Sequence, residues 1–558
     1  MQLLGSEIIV KCLLEQNVDT VFGYPGGANM PLYDALYGAP LRHVLTVHEQ
    51  GAVHAADGYA RASGRVGVCF ATSGPGATNL VTGLATAYMD SSPIVAITGQ
   101  VATTLLGKDS FQEIDIVGMT MPITKHNFLV KDISSLAETM RMAFRIAASG
   151  RPGPVLIDVP KDIMLAKSEY VFVSPPPGKI FTEDHSNKLS FQQTVNAAVA
   201  TLANAKRPVM LVGGGIKAGD AWKEARVFAG TTGIPVVSTL MGLGAFPAKQ
   251  RWFLGMTGMH GHKAANWTVS EADVILAIGT RFSDRVTSDC NKYAEGKTII
   301  HLDVDPSEMN KNVPAEIMVI GDLRQSLRSM REAFLQKKAA DFSAWRTQID
   351  AWKQEFGMAY DETQLNAPWI MNHMSENTGD HSVMWITDVG QNQMWAAQHL
   401  QIDAPRSWIS SGGLGTMGFG VPAALGAQIA CMDKRAVLVV GAGGFKMTGM
   451  ELHTAINSRL PLVIVIINNQ SLGMVRQWQQ LFFQERYSET LLPKFDFIAF
   501  SHACGALGAE VNNPSEFAAT FQQALQSERS FVIVANIAQN DLVEPMVTPG
   551  QSINQFAS

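Results

Sequence analysis

The sequence lacks the features that mark disulfide-stapled, zinc-binding or nucleic-acid-binding proteins. Its five cysteines are scattered, and no two are separated by only two residues, which argues against a zinc site or a disulfide framework. Basic residues, 43 against 49 acidic ones, never gather in one segment, and the net charge is -6. Nucleic-acid binding is therefore not expected.

Long apolar runs are also absent. The longest, Leu460–Ile467, is far shorter than the roughly 20 residues that span a bilayer. The first ten residues contain no basic region followed by a long apolar stretch, as a signal peptide would. With 46% apolar and 16% charged residues, the chain is expected to be an ordinary globular protein, cytoplasmic and without a membrane partner.

What the sequence does contain is a recurrence of short apolar runs followed by amphipathic stretches, as in "PVLIDVP", "PVMLVGGG", "AVLVVGAGG" and "PLVIVIINN". Such runs are typical of strands buried on both faces and predict an α/β fold of doubly wound domains with mostly parallel sheets. A proline-rich stretch at Ser174–Gly178 and a charged, Trp-bearing stretch from about Phe334 to Pro368 interrupt the pattern. The predicted domains are 1-175, 185-335 and 365-540.

The two outer domains resemble each other. Arg65–Gln100 and Arg435–Gln470 each run strand, glycine turn, helix, Pro-led strand and Gln over 36 residues. Duplication of one α/β unit is the simplest account, although such units also converge.

Two short motifs in the C-terminal domain suggest a phosphate and cation site. "VVGAGGF", with Gly441 and Gly443, places a glycine turn between a strand and a helix, where backbone N–H groups can face a diphosphate. In "IINNQ", Asn469 ends the next strand, and its amide oxygen is a ligand suited to a hard cation. Each motif alone is equally explained by a packing turn or a turn-forming Asn pair.

Together with "VFGYPGGANMPLYDAL", "HEQGAVHAADGYARASG", "ATSGPGATNL", "GMTGMHGHKAAN", "RFSDRVT", "HLDVDPSEMNK" and "SGGLGTMGFGVPAALGAQ", these motifs resemble the thiamine diphosphate (ThDP) enzyme superfamily. The chain is most similar there to catalytic subunits of acetohydroxyacid synthase (acetolactate synthase) of the isozyme II type, from about residue 5 to 540. The resemblance implies an N-terminal pyrimidine-type domain, a central FAD-binding-type domain and a C-terminal diphosphate-type domain.

The resemblance also implies an activity. It is the decarboxylation of pyruvate through ThDP and Mg²⁺ and the joining of its two-carbon fragment to a second 2-oxoacid, in branched-chain amino acid biosynthesis, with FAD as a structural group. The active site should form between two chains, so a homodimer or homotetramer is expected, and a small regulatory partner subunit is left open.

Site residues are carried over by position. Glu49 matches the glutamate that exchanges a proton with the ThDP aminopyrimidine, a task suited to a carboxylate at short range. Met417 matches the apolar residue that supports bent ThDP, Gln391 a diphosphate contact, and Arg285 the arginine that grips the second substrate's carboxylate. Further pocket positions are Gln100, Phe111, Lys161, Met474 and Trp478. Without the resemblance, each would be taken for a surface or core residue.

The FAD-contacting positions of the family fall mainly in the central domain. They are Arg151, Gly213, Gly214, Gly215, Met256, His260, Asp303 and Asp322. "GGG" after a strand permits close backbone approach, and Asp303 is a plausible acceptor for a ribose hydroxyl. The alternative is a central domain without a ligand. His260 and His262, two residues apart without further ligands, make a poor metal site.

The chain departs from the family at the diphosphate end. The family pattern Gly-Asp-Gly-Ser is here Gly441-Ala442-Gly443-Gly444, and Asn392 replaces a histidine. Mg²⁺ thereby loses its one acidic protein ligand, which by analogy with a broken buried charge pair weakens binding by about 3–5 kcal/mol. We consider whether the ammonium of Lys446 replaces the metal's charge; the alternative is a solvated lysine.

Three functions follow from these observations. The first is an acetohydroxyacid synthase-like flavoprotein whose metal-ThDP site is weakened by Ala442. The second is a ThDP-independent FAD enzyme acting on a small 2-oxoacid or ketone. The third is a non-catalytic homologue that binds flavin and a partner.

Overall fold

The computed structural model describes residues 1–174, 188–337 and 340–557. In these ranges the chain forms three large sheets of six strands each, with helices around them, and one two-stranded ribbon. The α/β prediction with three doubly wound domains is confirmed. The predicted proline-rich linker at Ser174–Gly178 lies outside the described residues after Ser174.

The N-terminal sheet is built from runs that are buried over their whole length, such as "GVCFA" and "IVAITGQ". The strands of this part of the chain, including the antiparallel ribbon β1-β8, are β1 Gln2–Leu4, β2 Thr20–Gly23, β3 Arg42–Leu45, β4 Gly67–Ala71, β5 Ile94–Gln100, β6 His126–Leu129, β7 Val155–Pro160 and β8 Lys167–Glu169. The helices are α1 Gly5–Glu15, α2 Met30–Leu36, α3 Glu49–Ser63, α4 Pro75–Thr78, α5 Val81–Met89, α6 Ile116–Thr120, α7 Leu136–Ala148 and α8 Lys161–Leu165. The parallel sheet has the order β3-β2-β4-β5-β7-β6.

The middle sheet has the order β11-β10-β9-β12-β13-β14, in which the direction of winding reverses between β9 and β12. Its strands are β9 Pro208–Val212, β10 Val236–Ser238, β11 Phe253–Met256, β12 Val274–Ile278, β13 Thr298–Asp303 and β14 Ile317–Ile320. The helices are α9 Lys188–Asn204, α10 Gly215–Ala218, α11 Trp222–Thr232, α12 Lys263–Glu271, α13 Asp284–Thr287, α14 Cys290–Ala294 and α15 Leu323–Leu335. In open α/β sheets, ligands bind at the carboxyl ends of the strands flanking such a reversal.

The predicted connector is helical. It contains α16 Ser343–Glu355 and α17 Ala367–Glu376. Trp345 of α16 is buried and its indole N–H donates to the Pro208 carbonyl oxygen at 3.1 Å, so this helix packs onto the middle domain.

The C-terminal sheet has the order β16-β15-β17-β18-β20-β19. Its strands are β15 Val383–Thr387, β16 Trp408–Ile409, β17 Arg435–Gly441, β18 Val463–Asn468, β19 Leu507–Val511 and β20 Phe531–Asn536. The helices are α18 Gln391–His399, α19 Gly420–Ala430, α20 Ala442–Thr448, α21 Glu451–Asn457, α22 Gly473–Phe482, α23 Phe497–Ala503 and α24 Pro514–Gln526. In chain order the six strands are arranged as in the N-terminal sheet, as a duplication would produce.

By its contacts the chain divides into two compact units. One unites the two outer domains, from the described residues of Met1–Ile180 with Thr378–Gly390 and Ile409–Asn536. The other contains the described residues of Phe181–Asn377 with Gln391–Trp408 and Ile537–Ser558. Over the ranges that the structure describes, no helix is both long and apolar enough to cross a bilayer.

The outer domains meet along helices α3 and α19, which are rich in small residues. A Cβ placed on Gly426 of α19 would lie 1.8 Å from the carbonyl oxygen of Ala55 on α3, so only glycine permits this approach. At the end of α3, the Arg61 guanidinium contacts Asp57 at 2.7 Å and Asp90 at 3.0 Å and donates to the Ser410 carbonyl. Helix α3 is thus fixed to the C-terminal domain along its length.

Candidate functional site

Glu49 is the first residue of α3, directly after the helix cap His48, whose ring nitrogen accepts from the Gln50 N–H. One oxygen of its half-buried carboxylate accepts from the Asn79 side-chain amide at 3.0 Å. The other borders Gly76, where an added Cβ would lie 3.0 Å away. The carboxylate is therefore held by a neutral donor, an arrangement that permits proton exchange with a weak base.

Gln100 ends β5, and its carboxamide is already used within the chain. Its NH₂ group donates to the Ile114 carbonyl and to Asp158, both at 2.9 Å, and its oxygen accepts from the Val101 N–H at 2.8 Å. Burial raises the pKa of Asp158 to about 7. Because both donor hydrogens are engaged, only a lone pair on the Gln100 oxygen remains for a ligand.

The loop that carries Phe111 approaches the same glycine turn as Glu49. A Cβ on Gly74 would lie 2.9 Å from Cα of Gln112, and the Phe111 side chain is 88% exposed. The structure thus brings Glu49 and Phe111 together around residues 74–76. Lys161 begins α8 with its side chain exposed, and it remains a pocket residue by resemblance only.

The glycine turn of the C-terminal domain lies where the sequence predicts it, between β17 and α20. Met417 lies over this turn, since a Cβ on Gly443 would be 3.4 Å from the Met417 methyl carbon and 2.7 Å from a methyl group of Leu472. On the neighbouring helix α22, which also carries Met474, the Trp478 ring contacts Phe482 edge-on at 5.2 Å between centroids. This edge of the sheet therefore presents apolar side chains beside a glycine turn.

Asp388 is a buried acid at this edge that the sequence analysis missed. It follows β15, next to β17, and accepts backbone N–H groups from Val389 at 2.8 Å, Gly418 at 3.0 Å and Gly420 at 2.8 Å. Burial raises its pKa to about 6, an effect that these hydrogen bonds partly offset. Its place after a strand at the winding reversal is a signal that sequence analysis can recognise.

Gly444 makes room for Asp388. A Cβ on Gly444 would lie 2.3 Å from the Asp388 carboxylate, so any side chain at this position would require the acid to move. The serine of the family pattern is therefore incompatible with the position that Asp388 takes in this chain.

The residues at the glycine turn do not fit a Mg²⁺ ion held by a protein carboxylate. Ala442 is buried and its methyl group offers no oxygen. The Asn469 amide oxygen, the one side-chain ligand predicted there, accepts from the Ser471 N–H at 3.3 Å. Among the described residues no group of three or more His, Cys, Asp or Glu side chains is placed to hold a metal.

Lys446 does not extend freely from α20. Its ammonium donates to the Pro493 carbonyl at 3.2 Å and lies over the rings of Phe495 and Phe497, 5.3 and 5.9 Å from their centroids. These contacts give Lys446 a structural role in holding residues 493–497.

In the middle domain, the predicted glycine turn follows β9 at the winding reversal. A Cβ on Gly213 would lie 2.1 Å from the Gly279 carbonyl oxygen, and one on Gly215 would lie 2.6 Å from Gly279 Cα. Gly214 is less confined, with Met241 Cβ at 3.1 Å. Two of the three glycines are thus required by packing, whether or not a ligand binds.

The other predicted flavin residues occupy varied surroundings. Asp303 is buried and accepts from the Asp305 N–H, and Asp322 caps α15 and pairs with Arg324 at 3.3 Å. His260 is buried beyond Met256, its Nδ1 lacks a hydrogen-bond partner among the described residues, and burial lowers its pKa to about 4. Arg151, in the outer-domain unit, donates to the Ser91 hydroxyl at 2.8 Å.

Two further predicted residues, with Asn392, belong to the same unit as the middle domain. Arg285 on α13 is 61% exposed and pairs with neighbouring Asp284 at 3.0 Å. Gln391 begins α18 and donates to the Asp541 carbonyl at 3.0 Å, and Asn392 beside it is buried.

Comparison with known families matches all three domains. The N-terminal thiamine pyrophosphate (TPP) binding domain of thiamine pyrophosphate enzymes matches residues 4–119, their central domain residues 195–330, and their C-terminal TPP binding domain residues 388–535. The chain belongs to the thiamine pyrophosphate enzymes. Thiamine pyrophosphate is another name for ThDP.

Relatives within this family are acetolactate synthase large subunits. The isozyme 2 large subunit of Escherichia coli is 45% identical over 99% of both chains. The large subunit of Corynebacterium glutamicum is 45% identical over 99% of this chain and 89% of its own. A probable large subunit of Methanocaldococcus jannaschii is 44% identical over 98% of this chain and 94% of its own. The chain is thus a full-length homologue of these subunits.

Proposed function

We propose that this protein is an acetolactate synthase-type carboligase that decarboxylates pyruvate and joins the resulting two-carbon fragment to a second 2-oxoacid. The observation that carries the proposal is the placement of Glu49, a half-buried carboxylate held by the Asn79 amide at the start of α3. When bound, ThDP would supply the electron sink for decarboxylation. Glu49 would hold the proton that its aminopyrimidine exchanges.

Substrate binding is assigned to side chains outside the ThDP positions. Arg285 has the exposed, planar guanidinium that a substrate carboxylate requires, and Asp284, its partner, competes only weakly because both are exposed. Phe111, Met474 and Trp478 supply apolar surface for a short 2-oxoacid chain. Lys161 and the remaining lone pair of Gln100 complete the proposed pocket.

The metal half of the site is proposed to be weakened. Support comes from Ala442, which offers no ligand, and from Gly444 and Asp388, which occupy the turn differently from the family pattern. We place FAD in the middle domain at the turn after β9, with Asp303 and His260 Nδ1 as polar groups near it in sequence and fold. Its role there is structural.

We propose a homodimer or homotetramer in the cytoplasm, with room for a regulatory subunit. Support comes from large apolar side chains left exposed in the single chain, including Tyr37 at 93%, Phe111 at 88% and Met121 at 65%. Exposed aromatic residues of this size are typical of protein interfaces.

A second function is favoured by Ala442 alone. Without ThDP, an FAD enzyme acting on a small 2-oxoacid or ketone would use the middle domain and Arg285. Incubating the flavin-loaded protein with pyruvate and 2-oxobutyrate separates the two functions. Release of CO₂ that depends on ThDP and on Glu49 supports the carboligase, whereas anaerobic bleaching of the flavin without added ThDP supports the flavoenzyme.

A further inference from the structure

Glu451 is a buried carboxylate in the C-terminal domain that binds the backbone directly before Glu49. It begins α21, two residues after α20 ends with its neighbouring glycine, and is 2% exposed. One oxygen accepts from the Val47 and His48 N–H groups, both at 3.1 Å. The other accepts from Val47 at 3.2 Å and from the Thr454 hydroxyl at 2.7 Å.

Two further features show that this contact is built into the fold. A Cβ on Gly51, in the first turn of α3, would lie 2.0 Å from the Glu451 carboxylate, so glycine is required there. At the other end of α21, the Arg42 guanidinium donates to the Ser458 carbonyl at 3.3 Å. Helix α21 thus contacts the segment from β3 to α3 at both of its ends.

The chemistry of the contact suits positioning. Burial raises the pKa of Glu451, and the hydrogen bonds from Thr454, Val47 and His48 favour its ionised form. An acid buried in this way is costly unless its oxygens are satisfied, and here both oxygens accept hydrogen bonds from the turn or from Thr454. The direction of the Glu49 side chain depends on the backbone of this turn.

We propose that Glu451 is a positioning residue for Glu49: its carboxylate fixes the turn at Val47 and His48 so that Glu49 faces the ThDP aminopyrimidine. The proposal rests on the function proposed above. It also links the glycine turn of the C-terminal domain to Glu49 of the same chain, because α20 and α21 are nearly continuous.

The test compares Glu451→Gln with Gly51→Ala and with the control Glu15→Gln in the full-length protein. The Glu451→Gln variant keeps the shape of the side chain but replaces one acceptor oxygen with a donor, and Gly51→Ala displaces the carboxylate without removing it. Glu15 is likewise buried, at 3% exposure, and is bound by Arg141 at 2.7 Å, but it lies in α1 and is held by α7.

Three measurements are made on each variant: ThDP affinity by calorimetry, exchange of the C2 proton of bound ThDP in D₂O by NMR, and amide exchange of residues 46–50 in the ThDP-free protein. We expect both test variants to slow C2 exchange roughly 10- to 100-fold with ThDP affinity unchanged, as a small misplacement of a reacting group does. Their amides at 46–50 should exchange faster. The control should match the wild type in all three.

Equal C2 exchange in Glu451→Gln and wild type would overturn the proposal, as would equal losses of affinity and exchange, which indicate a general structural role. If the wild type binds no ThDP, the proposed function fails separately. Amide exchange then decides the positioning contact alone: unchanged protection at 46–50 in Glu451→Gln overturns it, and faster exchange supports it.

Discussion

The two outer domains share one strand order but treat corresponding turns differently. In the N-terminal domain, the turn after β4 borders Glu49, and Asn79 just beyond it donates to that carboxylate. In the C-terminal domain, the turn after β17 carries Ala442 and is bordered by the buried Asp388. The comparison teaches that a duplicated scaffold can retain one chemical half of a site while the other half changes.

The largest effect is expected at Glu49. Glu49→Gln keeps the size and the hydrogen bond from Asn79 but cannot exchange the proton, so C2 exchange of bound ThDP and 2-oxoacid turnover should fall by about 10²- to 10⁴-fold. ThDP affinity measured by calorimetry should change little. A variant that retains wild-type exchange would remove Glu49 from the chemistry and leave the N-terminal turn with no known role.

The corresponding change in the other domain is Ala442→Asp, which restores an acidic ligand. We expect the affinity for ThDP in the presence of Mg²⁺ to rise about 100-fold, because a metal-diphosphate site regains its negative ligand. Ala442→Asn, of equal size and uncharged, is the matched control and should gain far less. Identical titration curves for both variants would show that the carboxylate is not what the cradle lacks.

The contact between the two domains can be tested at a glycine. Gly426→Ala brings a methyl group into the Ala55 carbonyl and should lower the free energy of unfolding by about 1–3 kcal/mol. Gly230→Ala, in the interior of α11 with no described atom within 4 Å of the added carbon, should instead raise it by about 0.5–1 kcal/mol. Urea unfolding of both variants checks the difference, and equal effects would contradict close packing of α3 on α19.

The smallest effect concerns the pH dependence of stability. Since burial raises the pKa of Asp158 from 3.8 to about 7, the folded state binds more protons than the unfolded state between these values. The free energy of unfolding should therefore fall as pH rises from about 4 to 7, by at most about 4 kcal/mol from this group. Asp158→Asn, which can still bond Thr98 and Gln100, should flatten the profile; an unchanged slope would contradict the raised pKa.

The fold was largely predictable because its strands are continuous apolar runs, such as Val463–Asn468, whose burial on both faces leaves a clear pattern. Glycine turns after strands located the C-terminal cradle, and resemblance supplied Glu49. Glu451 and Asp388 were not predictable in the same way, because their roles depend on contacts with Val47, His48 and Gly418, which are distant in sequence. The saturation of Gln100 by Asp158 and Ile114 likewise requires the three-dimensional structure.

The central claim, that the proton-exchanging half of the site is intact while its metal half is weakened, is tested most directly by calorimetric titration of the flavin-loaded protein with ThDP. The titration is done once with Mg²⁺ and once with a chelator. The account predicts binding in the range of roughly 10–500 μM that Mg²⁺ strengthens by no more than about tenfold. Submicromolar binding that vanishes with the chelator, or no binding at millimolar ThDP, would contradict it.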